Sequence, residues 1–367
     1  MQRTRKGGLT MNNKTKILKY KKSETQFAYE EKNIIQPIKE KVPKAKSGRT
    51  HSIKLPKYIS FIIQETTTTL QIYIQEQVGE CNGREVVLNA TCNNMQSDNA
   101  AFEGWAICLK AWLPEHIERV CLKWDSPNDK FMTPNNKQHY NRFLYRALRF
   151  SQQYSWFSID VNNKWEVESF KEELYSLQNN CYSKEPDLKG NLEKLSETSV
   201  EYLLANNLSD QMKAYFDLDI IDRQFPVGVK RQGKQFFTGG MSAIDLWGMK
   251  DDILSIIELK YNGGETKNKK VGIISELFMY SNIMRDIISG IIVQPEATPK
   301  KNEETFYLRH QSFHTLKAFM FSDEYHPLVD NEKVFEILNR YSHSNDVAVI
   351  YKKKSYKLTA KDKLEIQ

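Results

Sequence analysis

The sequence predicts an α/β protein, with a mixed sheet flanked by helices in its C-terminal half and a smaller α+β module before it. Three observations carry the prediction. Apolar runs of strand length, bounded by polar turns, recur along the chain. Between them lie longer segments whose apolar residues return at helical spacing. The 367 residues, at 40% hydrophobic content, allow a sizeable core in one large domain or two ordinary ones.

Residues 1–57 read as a basic, flexible tail. Sixteen Lys or Arg stand there against four Glu, with few core-forming residues. Such a stretch is either a solvated arm or a backbone-binding arm for nucleic acid. From Tyr58 the pattern changes. "YISFIIQE", "TLQIYIQE" and "REVVLNATC" read as strands, and "NAAFEGWAICLKAWLPEHI" as a helix capped by Asp98 or Asn99, with Pro114 near its end. "RVCLKWD" is a further strand. "YNRFLYRALRFSQQY" is an amphipathic helix with Arg142, Arg146 and Arg149 on one face. That stripe, beside Tyr145 and Phe150, suits either contact with a phosphate backbone or the wet face of a surface helix. These elements form the expected module of residues 58–165, in which no catalytic pattern stands out.

Residues 166–367 form the expected second domain. "LKGNLEKLSETSVEYLLANN" reads as a helix. Three strands follow, Gln224 to Val229, Ser242 to Trp247 and Ile253 to Tyr261, separated by turn segments. After them come a helix from Lys270 to Ile288, the strand "TLKAFMF", the helix "NEKVFEILNRYSH" and the strand "DVAVIYKK".

Composition narrows the function classes. The net charge of +7 is compatible with a polynucleotide partner without requiring one. The five cysteines form no CxxC pair and fit a reduced, cytoplasmic chain. No apolar run is long enough to span a membrane, and the Lys-rich N-terminus lacks the apolar stretch of a signal peptide. The seven histidines form neither HxH nor HExxH, and no phosphate-loop or GxSxG motif is present.

The informative stretch is "SAIDLWGMKDDILSIIELK", Ser242 to Lys260. It reads as buried strand yet carries Asp245, Glu258 and Lys260. Desolvating such charges costs several kcal/mol unless they are paired or bind a metal. Side chains alternate along a strand, so Glu258 and Lys260 share a face with Ile256, and antiparallel pairing brings Asp245 toward Glu258. Two carboxylates, with the carbonyl of Leu259 as a third oxygen, suit Mg²⁺ or Mn²⁺. A cation so held activates water toward a phosphodiester, with Lys260 assisting. The bland counterpart is a salt-bridged cluster on a half-exposed sheet.

The arrangement resembles the PD-(D/E)xK nuclease superfamily, the restriction-endonuclease-like fold. Its pattern is an acidic helix, a hairpin carrying Asp and then Glu/Asp-x-Lys, and a following helix. Here Asp245 and Glu258-Leu259-Lys260 supply the hairpin, and Glu276 and Tyr280 in "SELFMYSNIM" supply the family's acid-x-x-x-Tyr spacing. The first-helix acid maps to Glu201 or Glu197, with Glu193 on the same face. Ile244 stands where the family name has Pro. The resemblance covers residues 188–292 and implies a metal-dependent endonuclease acting on DNA, in restriction, repair or antiviral defence. It leaves two rivals, an RNase and a non-catalytic nucleic-acid-binding or scaffold protein. The N-terminal module would then sense a target or signal, or join a protein partner or a second copy.

Overall fold

The computed structural model describes residues 22–43, 53–81, 84–95, 97–180, 196–237, 242–262, 270–293, 313–340, 347–360 and 363–366. It is a mixed α/β structure with mixed sheets. Helix α1 (Glu24–Glu30) is capped by Ser23 and runs through a wide turn into α2 (Gln36–Lys41). Strands β1 (Ile59–Gln64) and β2 (Thr69–Ile74) form a hairpin. A separate hairpin, β3 (Glu76–Cys81) and β4 (Arg84–Asn89), precedes α3 (Phe102–Trp112). Then come β5 (Arg119–Trp124), α4 (Pro134–Gln153), β6 (Phe157–Ile159), α5 (Lys164–Glu173) and β7 (Leu177–Asn180). The first sheet has the order β1-β2-β5-β6, with β2, β5 and β6 parallel.

The C-terminal half supplies α6 (Glu197–Tyr202), α7 (Ser209–Phe216), β8 (Ile220–Pro226), β9 (Gly228–Arg231), β10 (Lys234–Gln235), β11 (Ala243–Lys250) and β12 (Ile253–Lys260). It ends with α8 (Gly272–Ile288), β13 (Thr315–Ser322), α9 (Glu332–Asn339), β14 (Ala348–Ala360) and β15 (Lys363–Ile366). The large sheet has the order β15-β14-β13-β12-β11-β8. Its β8, β11 and β12 are antiparallel, whereas β12, β13 and β14 are parallel.

The alternation along β12 and β13 divides the apolar residues between two faces. Leu254, Ile256, Leu316, Ala318 and Met320 join the main core with α8. Ile257, Leu259, Phe319 and Phe321 join a second cluster under α6 and α7. Helix α8 is buried on nearly all sides, between the sheet and helices α3 and α4. Its sequence is largely apolar, as an enclosed helix requires, with Glu276 and Asp286 as buried charges. Gly104 permits the close approach of α3, since a Cβ there would lie 2.4 Å from the carbonyl oxygen of Val271.

Several expectations need correction. Residues 24–41, expected as part of a solvated tail, are helical and bury Ile34, Ile35 and Ile38 in the main core. The buried Glu30 carboxylate accepts the Phe61 N–H (2.9 Å) and pairs with Lys22, tying α1 to β1. Most of the expected tail lies outside the described residues. The expected boundary at 165/166 falls inside α5, and one continuous core takes residues from both sides of it. Neither Asp98 nor Asn99 caps α3. Ala101 occupies that place, and the Asp98 carbonyl accepts the Trp105 indole N–H instead (2.8 Å). The N-terminal part of the expected helix at 188–207 lies outside the described residues.

The arginine stripe is neither wet nor turned outward. Arg146, 1% exposed, forms a fork with Glu103 on α3, and Glu103 also accepts the Ser275 hydroxyl of α8 (2.8 Å). Arg149 and the Tyr145 hydroxyl both bond Asp286 of α8, at 2.7 Å. Removing one partner of such a buried pair strands the other, at about 3–5 kcal/mol. Arg146→Met should therefore destabilise by about that much in urea denaturation, and the added change Glu103→Leu should recover part of the loss. A single variant within about 0.5 kcal/mol of wild type would show that the pair does not hold α3 to α4.

Candidate active site

The site forms where β11 and β12 meet α6 and α8. The β11–β12 ladder runs from Lys250↔Ile253 to Leu246↔Ile257 and stops one row short of Asp245. Asp245 Oδ2 instead accepts the Leu259 N–H at 2.8 Å, a side chain completing what the ladder leaves open. On the other side, the β8–β11 ladder skips the row of Asp245 and Gln224. Gln224 there has a left-handed backbone (φ 58°), which costs a non-glycine residue about 1–2 kcal/mol.

Lys260 is the hub. Its ammonium lies 2.7 Å from Glu258 Oε1, 3.3 Å from Glu276 Oε2 and 3.6 Å from Glu197 Oε1. Glu258 is 2% exposed, and its second oxygen, Oε2, is buried without a hydrogen-bond partner among the described residues. Glu276 is likewise buried, whereas Asp245, Lys260, Glu197 and Tyr280 keep partial exposure. The cluster thus has a closed floor, Glu258 and Glu276, and an open side. Ser196 caps α6 by accepting the Ser199 N–H, which puts Glu197 in the first turn and lets its Oε2 accept the Tyr261 N–H (3.3 Å).

Of the expected site residues, Glu258, Glu276 and Glu197 contact the Lys260 ammonium, Asp245 joins them through the Leu259 N–H, and Tyr280 lies in the field of Glu258, Glu276 and Asp245. Glu201, one turn further along α6, is 2.9 Å from Arg223 and bonds Gln224. Its charge still reaches Asp245. Glu197 is the first-helix acid that approaches Lys260, and Glu193 lies outside the described residues. Leu259 contributes its N–H to Asp245 and its side chain to the second core. Among the described residues no three His, Cys, Asp or Glu side chains form a ready metal cage. The expected donor set needs only two carboxylates and a carbonyl.

One further residue appeared in the sequence only as a member of the arginine stripe. Arg142 of α4 is buried, and its field reaches Tyr280 and Glu276. Its Nη2 donates to His139 Nδ1 at 3.0 Å. Helical spacing grouped Arg142 with Arg146 and Arg149, and nothing local distinguished it from them.

The electrostatics follow from four carboxylates around one ammonium. Burial, then the charges of Glu197 and Glu201, push Asp245 up to about 8 against the pull of Lys260 and the Leu259 N–H. Burial, then Asp245 and Glu276, raise Glu258 well above the carboxylate range, against Lys260. Burial works against the Lys260 ammonium, but Glu258, Glu276, Asp245 and Glu197 outweigh it and raise its pKa. Burial and the same negative field hold the Tyr280 proton firmly.

The chain was compared with protein-family models, curated proteins and solved structures, and none matches.

A carboxyl whose folded pKa stands above its unfolded value binds more protons when folded, so stability falls as pH rises between the two. For Asp245 that window runs from the ordinary carboxylate range to about 8. His139 acts oppositely. Burial and then Arg142 lower it to about 4, so its contribution to stability grows up to about 6.5 and is constant above. Without divalent cation, stability should therefore fall between pH 6.5 and 8, and Asp245→Asn should flatten the fall. Melts in EDTA across that range check this, and parallel profiles for wild type and variant would refute it.

Proposed function

We propose that this chain is a metal-dependent nuclease that hydrolyses phosphodiester bonds, with DNA as first substrate and RNA as the alternative. One observation carries the reading. Charged groups on two otherwise apolar strands gather around Lys260, and a buried Glu258 oxygen has no hydrogen-bond partner among the described residues. A buried, unpaired carboxylate oxygen costs about 1–3 kcal/mol or more, so its retention suggests a ligand.

The donors fit Mg²⁺ or Mn²⁺. Asp245 and Glu258, with the Leu259 carbonyl, are hard oxygen ligands, and the surplus negative charge calls for a cation. Such a cation lowers the pKa of bound water and offsets charge at the phosphorus. The chain's own groups do the rest. Lys260, kept charged by its carboxylate neighbours, would hold the attacking oxygen in line and then meet the developing negative charge. Glu276 fixes the Lys260 ammonium from α8, and Glu197 fixes it from α6. Tyr280 keeps its proton and can serve only as a hydrogen-bond donor or acceptor, not as a base.

Lys260's short contacts also fit a purely structural cluster on a non-catalytic binding protein, so the test must separate the two. Asp245→Asn, Glu258→Gln and Lys260→Ala should each lower Mg²⁺-dependent cleavage of plasmid or RNA on the order of 100-fold or more. Wild-type cleavage should stop in EDTA. The Asn and Gln variants should melt at or above wild type without metal, since each removes a repelling charge. Variants that melt early yet still cut would sink the catalytic assignment, and cleavage unchanged in EDTA would sink the metal.

A further inference from the structure

Strands β8 and β11 change face together at one row. Along β11, Trp247 and Met249 belong to the main core, and Leu246 to the second cluster under α6 and α7. Regular alternation would put Ile244 on the same face as Leu246. Ile244 lies in the main core instead. Strand β8 does the same. Arg223 turns to α6, 2.9 Å from Glu201 and over the Tyr202 ring, 5.5 Å from its centroid. Phe225, two residues on, packs edge-on against Trp247 in the main core. The register holds on both sides, at Ile244↔Phe225 and Leu246↔Arg223, and the row of Asp245 and Gln224 between them is left out of the ladder. Both strands thus reset their phase at the same place.

A break of this kind re-aims a side chain. In a regular strand Asp245 would stand out from one face of the sheet. Here its Oδ2 reaches across to β12 and accepts the Leu259 N–H at 2.8 Å. Leu259 lies between Glu258 and Lys260, so the bond sets the Asp245 carboxylate beside both. The backbone that permits the break is that of Gln224, at φ 58°. A non-glycine residue is strained there, and glycine would not be. What glycine would lack is the side chain, which bonds Glu201, the carboxylate that Arg223 also holds. Two successive residues of β8 therefore tie the break to α6.

We propose that Gln224 and Glu201 are positioning residues for Asp245: the left-handed turn at Gln224, tied to α6 through Glu201, holds the phase break that aims the carboxylate at Leu259. Glu201, which pairs with Arg223, acts on the site through this turn. The inference rests on the nuclease reading for the metal that Asp245 would bind, but the Asp245–Leu259 bond can be followed without metal.

The test reads amide hydrogen exchange at Leu259 in EDTA, by NMR on selectively leucine-labelled protein, with the signal assigned by Leu259→Met. Gln224→Val should speed exchange on the order of tenfold, because a β-branched residue resists positive φ and favours a regular row. Gln224→Gly keeps the turn and should speed it by less than about threefold. Glu201→Gln should fall between the two. Mn²⁺ affinity, measured by calorimetry, should weaken in the same order. Thermal melts accompany each variant, and if Gln224→Val does not fold, Gln224→Ala, also disfavoured at positive φ, takes its place. An unprotected Leu259 amide in wild type overturns the proposal. So does wild-type exchange in folded Gln224→Val, or exchange in Gln224→Gly as fast as in Gln224→Val. The nuclease reading fails separately. If the exchange order holds but wild type binds no Mn²⁺ and cuts neither DNA nor RNA, that reading alone is lost. If wild type binds Mn²⁺ and cuts while Gln224→Val matches it in exchange and affinity, the positioning proposal alone is lost.

Discussion

Two carboxylates buried on one enclosed helix set the terms for the rest of the molecule. Helix α8 is packed on nearly all sides, yet it carries Glu276 and Asp286 in its interior. Neither charge is tolerable there without a partner. Asp286 is answered from α4 by Tyr145 and Arg149, and Glu276 from β12 by Lys260. These long-range pairs lock the helix between the N-terminal helices and the large sheet. The candidate site is a by-product of that lock, since the ammonium that answers Glu276 also answers Glu258 and Glu197.

The site is correspondingly overcharged. One ammonium stands among four carboxylates, and the excess appears as raised proton affinity at Asp245 and Glu258. A fold selected for stability alone would replace such a cluster with apolar residues of similar volume, often at no cost or with a gain. Retaining it in apolar strands is the physical argument for chemistry at this place. The left-handed backbone at Gln224 and the skipped ladder row beside Asp245 point the same way, because local strain collects where function over-determines the structure.

The N-terminal region is part of the same body. Its helices α3 and α4 cover α8, Trp112 donates to the Leu328 carbonyl, and Tyr154 donates to the Leu338 carbonyl. Even the segment at 24–41 contributes isoleucines to the shared core. Helices α3 and α4 thus pack directly on the helix that carries Glu276 and Tyr280. Removing the N-terminal region would open the main core rather than release an independently folded C-terminal unit.

What the sequence by itself determined was local. Alternation in "ILSIIELK" put Glu258 and Lys260 on one face with Ile256, and the short turn at Asp251 and Asp252 made β11 and β12 antiparallel, bringing Asp245 to Leu259. The positions of β11, β12, α8, β13 and α9 were legible for the same reason, because period and turn residues are properties of neighbours in the chain. The expected strand Gln224 to Val229 is instead divided between β8 and β9, and α7 was not expected. Partner choice was not legible. Nothing within one turn of α6 says that Glu197 meets Lys260 while Glu201 meets Arg223. Nor does the spacing of Arg142, Arg146 and Arg149 say that all three are buried, with Glu103 as partner of Arg146 and Asp286 as partner of Arg149. Periodicity fixes which side chains share a face, but what that face meets depends on contacts between residues far apart in the chain. Only the packing of α3 and α4 on α8 decided those, and with them which charges belong to the site.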